Sequence, residues 1–207
     1  CETGFMTAPE ENLWLATVRK NPDHSQNFAQ RWRTLAAEGQ DIFGEARAVD
    51  AMVARGSRIL DAGCGTGRIG GWLSEQGHHV VGVDLDPHLI EVARMEYPKA
   101  QWQVGNLAEF TVAYEAGEKQ EFDLIVSAGN VVTFLSESER LPSLQQLREH
   151  LASDGRMIIG FGSGRGYEFV DFESDAVEAG LVIQQRYSTW NFHLPADDFL
   201  VAVLGRK

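Results

Sequence analysis

A chain of 207 residues, 43% of them hydrophobic, is the size of one domain with one core and leaves no room for the second catalytic domain of a two-domain dehydrogenase. Its formal net charge of −12, from 18 Lys and Arg against 30 Asp and Glu, opposes a nucleic-acid partner, because that affinity rests on clustered cations and Arg31-Trp32-Arg33 is the only dense basic group. No apolar run approaches the ~20 residues that cross a bilayer, no signal-peptide pattern is found, and Cys1 and Cys64 make no disulfide framework, so a cytoplasmic compartment and no membrane partner are expected.

Cys1 opens the chain without a preceding Met, and Met6-Thr7-Ala8 reads as a natural start, so residues 1 to 5 are assigned no function. Residues 10 to 55 read as helical. Leu13, Leu15 and Val18, then Phe28, Trp32 and Leu35, then Val49, Met52 and Val53 recur mostly at three- and four-residue spacings. Asn21-Pro22-Asp23 breaks the first segment, and Gly39 with Gly44 brackets a loop before the third. From Arg58 the pattern alternates, with strands expected near 58 to 62, 79 to 84, 100 to 105, 121 to 127 and 155 to 161, and helices near 67 to 76, 87 to 96 and 139 to 152. Such alternation implies a parallel sheet wrapped on both faces. A helix near 168 to 179 ends at Gly180, and strands near 181 to 190 and 199 to 204 follow. The eight residues between those two strands are too few for a crossover, so the pair is antiparallel. The expected organisation is a helical cap over 1–55 and an α/β unit over 56–207, one structural domain overall.

The chemistry is written at Ile59-Leu60-Asp61-Ala62-Gly63-Cys64-Gly65-Thr66-Gly67-Arg68, a buried strand breaking into a glycine-rich turn that opens a helix. Glycines there let the backbone approach a ligand closely, and the helix start presents free N–H groups. Seventeen residues after Gly67, Val80-Val81-Gly82-Val83-Asp84 is a second strand ending in a carboxylate placed to accept from ribose hydroxyls. Taken literally, Gly65, Gly67 and Gly70 also satisfy the dinucleotide fingerprint, which leaves a nicotinamide cofactor open.

Asp61, directly before the glycines, changes the weighting. The stretch Asp61-Ala62-Gly63-Cys64-Gly65-Thr66-Gly67 resembles the first motif of the class I S-adenosylmethionine-dependent methyltransferases. VVGVDLDPHLIEVAR (80 to 94), VGNLAEF (104 to 110) and EFDLIVSAGNVVTFL (121 to 135) are similar to that family's later motifs, in order, over roughly residues 58 to 207. The resemblance implies a Rossmann-like seven-stranded sheet ordered 3-2-1-4-5-7-6 with an antiparallel last strand, helices on both faces and the helical N-terminal cap. It implies S-adenosylmethionine as cofactor and S-adenosylhomocysteine as product. By the same resemblance Asp61 orders the loop and faces the methionine ammonium. Gly63, Cys64, Gly65, Gly67 and Arg68 form the cradle, Asp84 takes the ribose and Leu85 the adenine face. Gly105, Asn106 and Leu107 would contact adenine, while Ala128 and Gly129 leave room for the sulfonium. Arg47, with Arg31 as runner-up, would meet the cofactor carboxylate.

Asn106 departs from the family's usual Asp. Its carbonyl is still an acceptor for the adenine amino group, so Asn106→Asp is expected to bind cofactor as well or slightly better. The Asn-Pro-Pro-aromatic motif of methylases acting on DNA bases and protein amides is missing after the fourth strand, where Asn130-Val131-Val132 stands. His24, His193 and Tyr167 are the candidates for catalytic groups on the acceptor side, and no histidine spacing suggests a metal. The expected activity is methyl transfer to an O, N or C nucleophile of a small molecule by a monomer or homodimer. An NAD(P)-dependent oxidoreductase and a non-catalytic S-adenosylmethionine-binding module are the alternatives.

Overall fold

Period-two alternation along the strands sorts their side chains into two cores, and that division builds the architecture. The computed structural model describes residues 11–113, 117 and 119–207, so Cys1 and the start read at Met6 lie outside the described residues. In chain order the elements are α1 (Leu13–Lys20), α2 (His24–Ala37), α3 (Gly44–Ala51), β1 (Arg58–Ala62), α4 (Arg68–Glu75), β2 (His79–Asp84), α5 (Pro87–Glu96) and β3 (Gln101–Val104). There follow β4 (Phe122–Ser127), a 3-10 turn (Val131–Phe134), α6 (Glu137–Glu149), β5 (Leu151–Gly162), α7 (Phe169–Glu178), β6 (Leu181–Tyr187) and β7 (Phe199–Arg206). Among the described residues the strands form one seven-stranded sheet, β3-β2-β1-β4-β5-β7-β6, with β7 antiparallel to both neighbours and the other pairings parallel.

Leu60, Ala62, Val81, Val83, Ile125, Met157 and Ile159 point to one face, against Leu144 and Leu147 of α6 and Phe172 and Ala176 of α7. Ile59, Val80, Leu124, Val126 and Ile158 point to the other, against Ile69 and Leu73 of α4 and Ala46 and Val49 of α3. Within the N-terminal helices, α3 thus packs directly into the sheet's core. By contrast, α1 and α2 pack through Trp14, Phe28 and Ala29 on Leu85, Leu89 and Val92, over the end of β2 and the start of α5.

The bounds of α6, β5 and β6 differ from expectation. Leu144, Leu147 and Leu151 continue a helical spacing, yet α6 stops at Glu149, because Leu151 pairs with Phe122 across the sheet and begins β5. The register then shifts, with Leu124 opposite Arg156, where Gly155 is packed too closely for a side chain: a Cβ would stand 2.9 Å from the Phe122 carbonyl oxygen. At its other end α6 starts at Glu137, two residues early, behind a capping box of Ser136 and Glu139. β6 ends at Tyr187, short of 190, because Ser188 N–H turns to the carbonyl of His193.

Candidate functional site

The cleft forms where β1, β2 and β4 end together, at the carboxyl edge where ligands of open α/β sheets lie. After Ala62 the chain turns through Gly63, Gly65 and Gly67, all at positive φ (77°, 53° and 78°). The N–H groups of Gly63 and Cys64 donate to the Val83 carbonyl (2.8 and 3.1 Å), which anchors the loop to β2. Gly67 caps α4 in the left-handed conformation and has no side chain to satisfy the helix start. Asp61 does so from the strand, its Oδ2 accepting from Gly70 N–H at 2.8 Å. Asp84 completes the loop, with Oδ2 accepting from Gly65 N–H (2.8 Å) and Oδ1 from Asp86 N–H (2.9 Å).

Burial pushes the Asp61 carboxyl up to about 7, against the Gly70 N–H and the Arg68 charge, which favour ionisation. Burial likewise pushes Asp84 up to about 6, against its N–H donors. Both groups bind protons more firmly folded than unfolded, so their stabilisation is complete below about pH 4 and disappears as pH rises through 6 and 7. Buried His150, depressed below its ordinary 6.5, works in the opposite sense only up to that value. The ligand-free protein is therefore expected to melt at a lower temperature at pH 8 than at pH 6.5 by scanning calorimetry. Asp61→Asn should flatten that slope, and a wild-type melting temperature that rises across the window would contradict the titration argument.

Around these carboxylates the space of the cleft comes to about 860 Å³, part of it open solvent. Of the residues expected from sequence, Asp61, Gly63, Cys64, Gly65, Arg68, Asp84, Leu85, Asn106, Leu107, Ala128 and Gly129 line it. Gly67 and Gly105 stand just behind, the first against Trp102 and the second with its N–H on the Asp84 carbonyl. Among the described residues Arg68 is the only cation in the lining, held by both oxygens of Glu45 (2.6 and 2.9 Å) and stacked 4.1 Å over Trp32.

Five expected residues are placed elsewhere. Arg47 forms a half-exposed pair with Asp41 and is not in the lining of the cleft. The runner-up Arg31 is exposed, 6.0 Å from the Trp32 ring. His24 is not in the lining but packs its ring behind it, on Trp14 at 4.8 Å, and His193 is exposed in the last hairpin. Tyr167 is buried in the sheet core with its hydroxyl on Asp175 (2.6 Å), and that burial raises its phenol pKa, so it neither lines the cleft nor offers a base.

The aromatic roof was not expected. Trp14, Phe28, Trp32 and Phe134 line the cleft and touch edge to face, with centroids 5.3 Å (Trp14–Phe28), 5.6 Å (Trp14–Phe134) and 6.2 Å (Phe28–Trp32) apart. Phe28 and Trp32 belong to a helical stripe that reads as ordinary core; the signal available was the aromatic density of the cap. Asp86 ties the roof down: its Oδ2 accepts from Trp14 Nε1 (2.8 Å) and the Ser25 hydroxyl, while Oδ1 caps α5.

A nucleotide cradle closed by a strand-end carboxylate, on a sheet of order 3-2-1-4-5-7-6, defines a Rossmann-like methyltransferase architecture. A family model described as a methyltransferase domain matches residues 59–155. The chain is 51% identical to a TehB-like S-adenosylmethionine-dependent methyltransferase of Corynebacterium glutamicum of known structure, over 90% of this chain and 100% of that one, with a TM-score of 0.85. It is also 32% identical over 140 residues to the magnesium-protoporphyrin O-methyltransferase of Rhodobacter capsulatus, covering 62% of this chain and 55% of that protein. With a ubiquinone biosynthesis O-methyltransferase of Xylella fastidiosa the identity is 39% over 70 residues, 34% of this chain and 28% of that protein. The chain thus spans about half or less of these two curated relatives. It belongs to the class I S-adenosylmethionine-dependent methyltransferases, and the dinucleotide reading of Gly65 to Gly70 is set aside. Gly70 lies inside α4 at negative φ, its N–H spent on Asp61, so it forms no part of the loop.

Proposed function

We propose that this chain transfers the methyl group of S-adenosylmethionine to an O, N or C nucleophile of a small molecule. The observation that carries the reading is the Asp84 carboxylate, set at the end of β2 beside the positive-φ Gly65 and inside the cleft. The cradle fits the group: a Cβ on Gly65 would stand 3.4 Å from Phe28, and one on Gly129 would meet nothing within 4 Å. Asp84 would accept from the ribose hydroxyls, Leu85 and Leu107 would flank the adenine, and Asn106 would stand at its edge. Asp61 would face the methionine ammonium, with Gly63, Cys64 and Gly65 beneath and Ala128 and Gly129 giving room at the reacting centre. When bound, S-adenosylmethionine would supply an activated methyl group on a cationic sulfur.

The protein's contribution is positional. Holding nucleophile and methyl in line converts a bimolecular step into an effectively unimolecular one. The aromatic roof of α1 and α2 keeps water from that line. Among the described residues Asp61 and Asp84 are the only carboxylates in the lining and both serve the loop, while His24, His193 and Tyr167 stand outside it. This supports an acceptor that is nucleophilic without an enzymic base, and the aromatic walls support one with apolar or planar surface. An anion is poorly matched, since the lining cation Arg68 is already paired with Glu45. Residues 1–55 would act as the cap and 56–207 as the catalytic unit, within one structural domain. The free, buried Cys64 supports a reducing cytoplasmic setting, and a monomer or homodimer is proposed. Among the described residues no helix is long and apolar enough to cross a membrane.

S-adenosylmethionine and S-adenosylhomocysteine are expected to raise the melting temperature, whereas NADH and NADPH are not. A ligand at 100 times its Kd stabilises the native state by about 2.7 kcal/mol through mass action. A shift with a nicotinamide cofactor and none with S-adenosylhomocysteine would end this reading. Transfer of labelled methyl into a metabolite extract then separates an enzyme from a binding module.

A further inference from the structure

Behind the adenine end of the cleft stands a carboxylate that joins three segments distant in sequence. Glu139, in the first turn of α6, accepts through Oε2 from its own Ser136 N–H (2.9 Å) and from Asn12 Nδ2 (2.9 Å). Through Oε1 it accepts from Asn106 Nδ2 at 2.6 Å. Burial alone would raise this carboxyl, but the surrounding N–H donors more than offset it and hold Glu139 ionised, below the ordinary range. Asn12 and Asn106 both line the cleft; Glu139 does not.

Each asparagine is committed at both ends. Asn106 Oδ1 accepts from Ala108 N–H (2.9 Å), and Asn12 Oδ1 accepts from Trp14 N–H (3.0 Å) as the cap of α1. A backbone N–H can only donate and an ionised carboxylate can only accept, so the side chain between them must accept on one side and donate on the other. An amide does this; an ionised acid cannot. We propose that Glu139 is a positioning residue of the cofactor site, whose carboxylate sets the Asn106 amide at the adenine edge, ties the N-terminal cap to it, and makes residue 106 Asn rather than Asp. The inference rests on the reading of Asn106 as an adenine-end residue. It also replaces the expectation that Asn106→Asp is harmless, because that change would bring two carboxylates to about 2.6 Å.

A double-mutant cycle on S-adenosylhomocysteine affinity, read by titration calorimetry, tests it. Glu139→Gln keeps the capping box, in which Gln also serves, but turns an NH2 toward the Asn106 NH2. Each of Glu139→Gln and Asn106→Asp is expected to weaken binding roughly tenfold, and the two together to recover to within about threefold of wild type, because the new Gln donates to the new Asp. Additive losses, or single losses within twofold, would overturn the proposal; ligand-free melting curves verify that all four proteins fold. Asp84→Ala is run alongside. If it loses affinity while the cycle is additive, the Glu139 inference alone has failed, and if it binds like wild type the site reading has failed and takes the inference with it.

The tie to the cap has its own readout. Asp caps helices as well as Asn does, so Asn12→Asp spares α1 itself and introduces only repulsion against Glu139. Amide hydrogen exchange over residues 13–20 should then accelerate, and unchanged exchange there would remove the cap from the proposal.

Discussion

Asp84→Ala is expected to weaken S-adenosylhomocysteine binding by about 2–4 kcal/mol, the cost of charge-assisted hydrogen bonds lost from hydroxyls that then go unpaired. Two effects add in the bound state. The ligand loses its acceptor, and Gly65 N–H and Asp86 N–H lose theirs, so the loop that carries the ligand is also less ordered. In the ligand-free state the same change removes a carboxylate that burial holds up at about 6, which offsets part of the loss. The melting temperature without ligand should therefore move much less than the affinity. Asp84→Asn, which keeps one acceptor, should fall between. Calorimetric affinity within twofold of wild type, with an unchanged circular dichroism spectrum, would reduce Asp84 to a loop-ordering residue.

Gly67→Ala and Gly129→Ala are expected to separate stability from binding, although the two glycines have nearly equal φ (78° and 77°). At either site a Cβ in the left-handed region costs roughly 1–2 kcal/mol. At Gly67 the methyl would also stand 2.7 Å from the Trp102 ring and 2.9 Å from Ala93 Cβ, both buried. Overpacking of that kind adds roughly 1–3 kcal/mol. Gly67→Ala should thus lose about 2–5 kcal/mol in urea unfolding, while its folded fraction binds ligand nearly normally, since Gly67 is not in the lining. Gly129→Ala meets no atom within 4 Å and should lose only the backbone cost, but its methyl projects where the ligand is proposed to lie. Its affinity loss should exceed its stability loss. Equal destabilisation by the two substitutions would show that close packing behind the loop is not what requires Gly67.

The parallel half of the sheet was legible because its signals are local. β1, β2 and α5 match their expected bounds, since each is bracketed by something the backbone must obey: a glycine turn after β1, a carboxylate and Asp86-Pro87 between β2 and α5. The glycine loop and Asp84 were legible for the same reason, as were Ala128 and Gly129 at the end of β4. The junction of α6 and β5 was misread because Leu147 and Leu151 satisfy a helical period equally well. Only the pairing of Leu151 with Phe122, across the sheet, selects the strand.

The sequence by itself determined the order of strands and helices, the loop that turns on Gly63, Gly65 and Gly67, and the carboxylate at the end of β2. Those features depend on period, backbone freedom and spacing along a few tens of residues. Only the tertiary structure decided that Arg47 stays with Asp41, that Tyr167 belongs to the core, that an aromatic roof closes the cleft, and that Asn106 faces Glu139. The physical reason is that a polar side chain takes the partner nearest in space, and residues 33 or 127 positions apart become neighbours only after the sheet has assembled and the cap has docked.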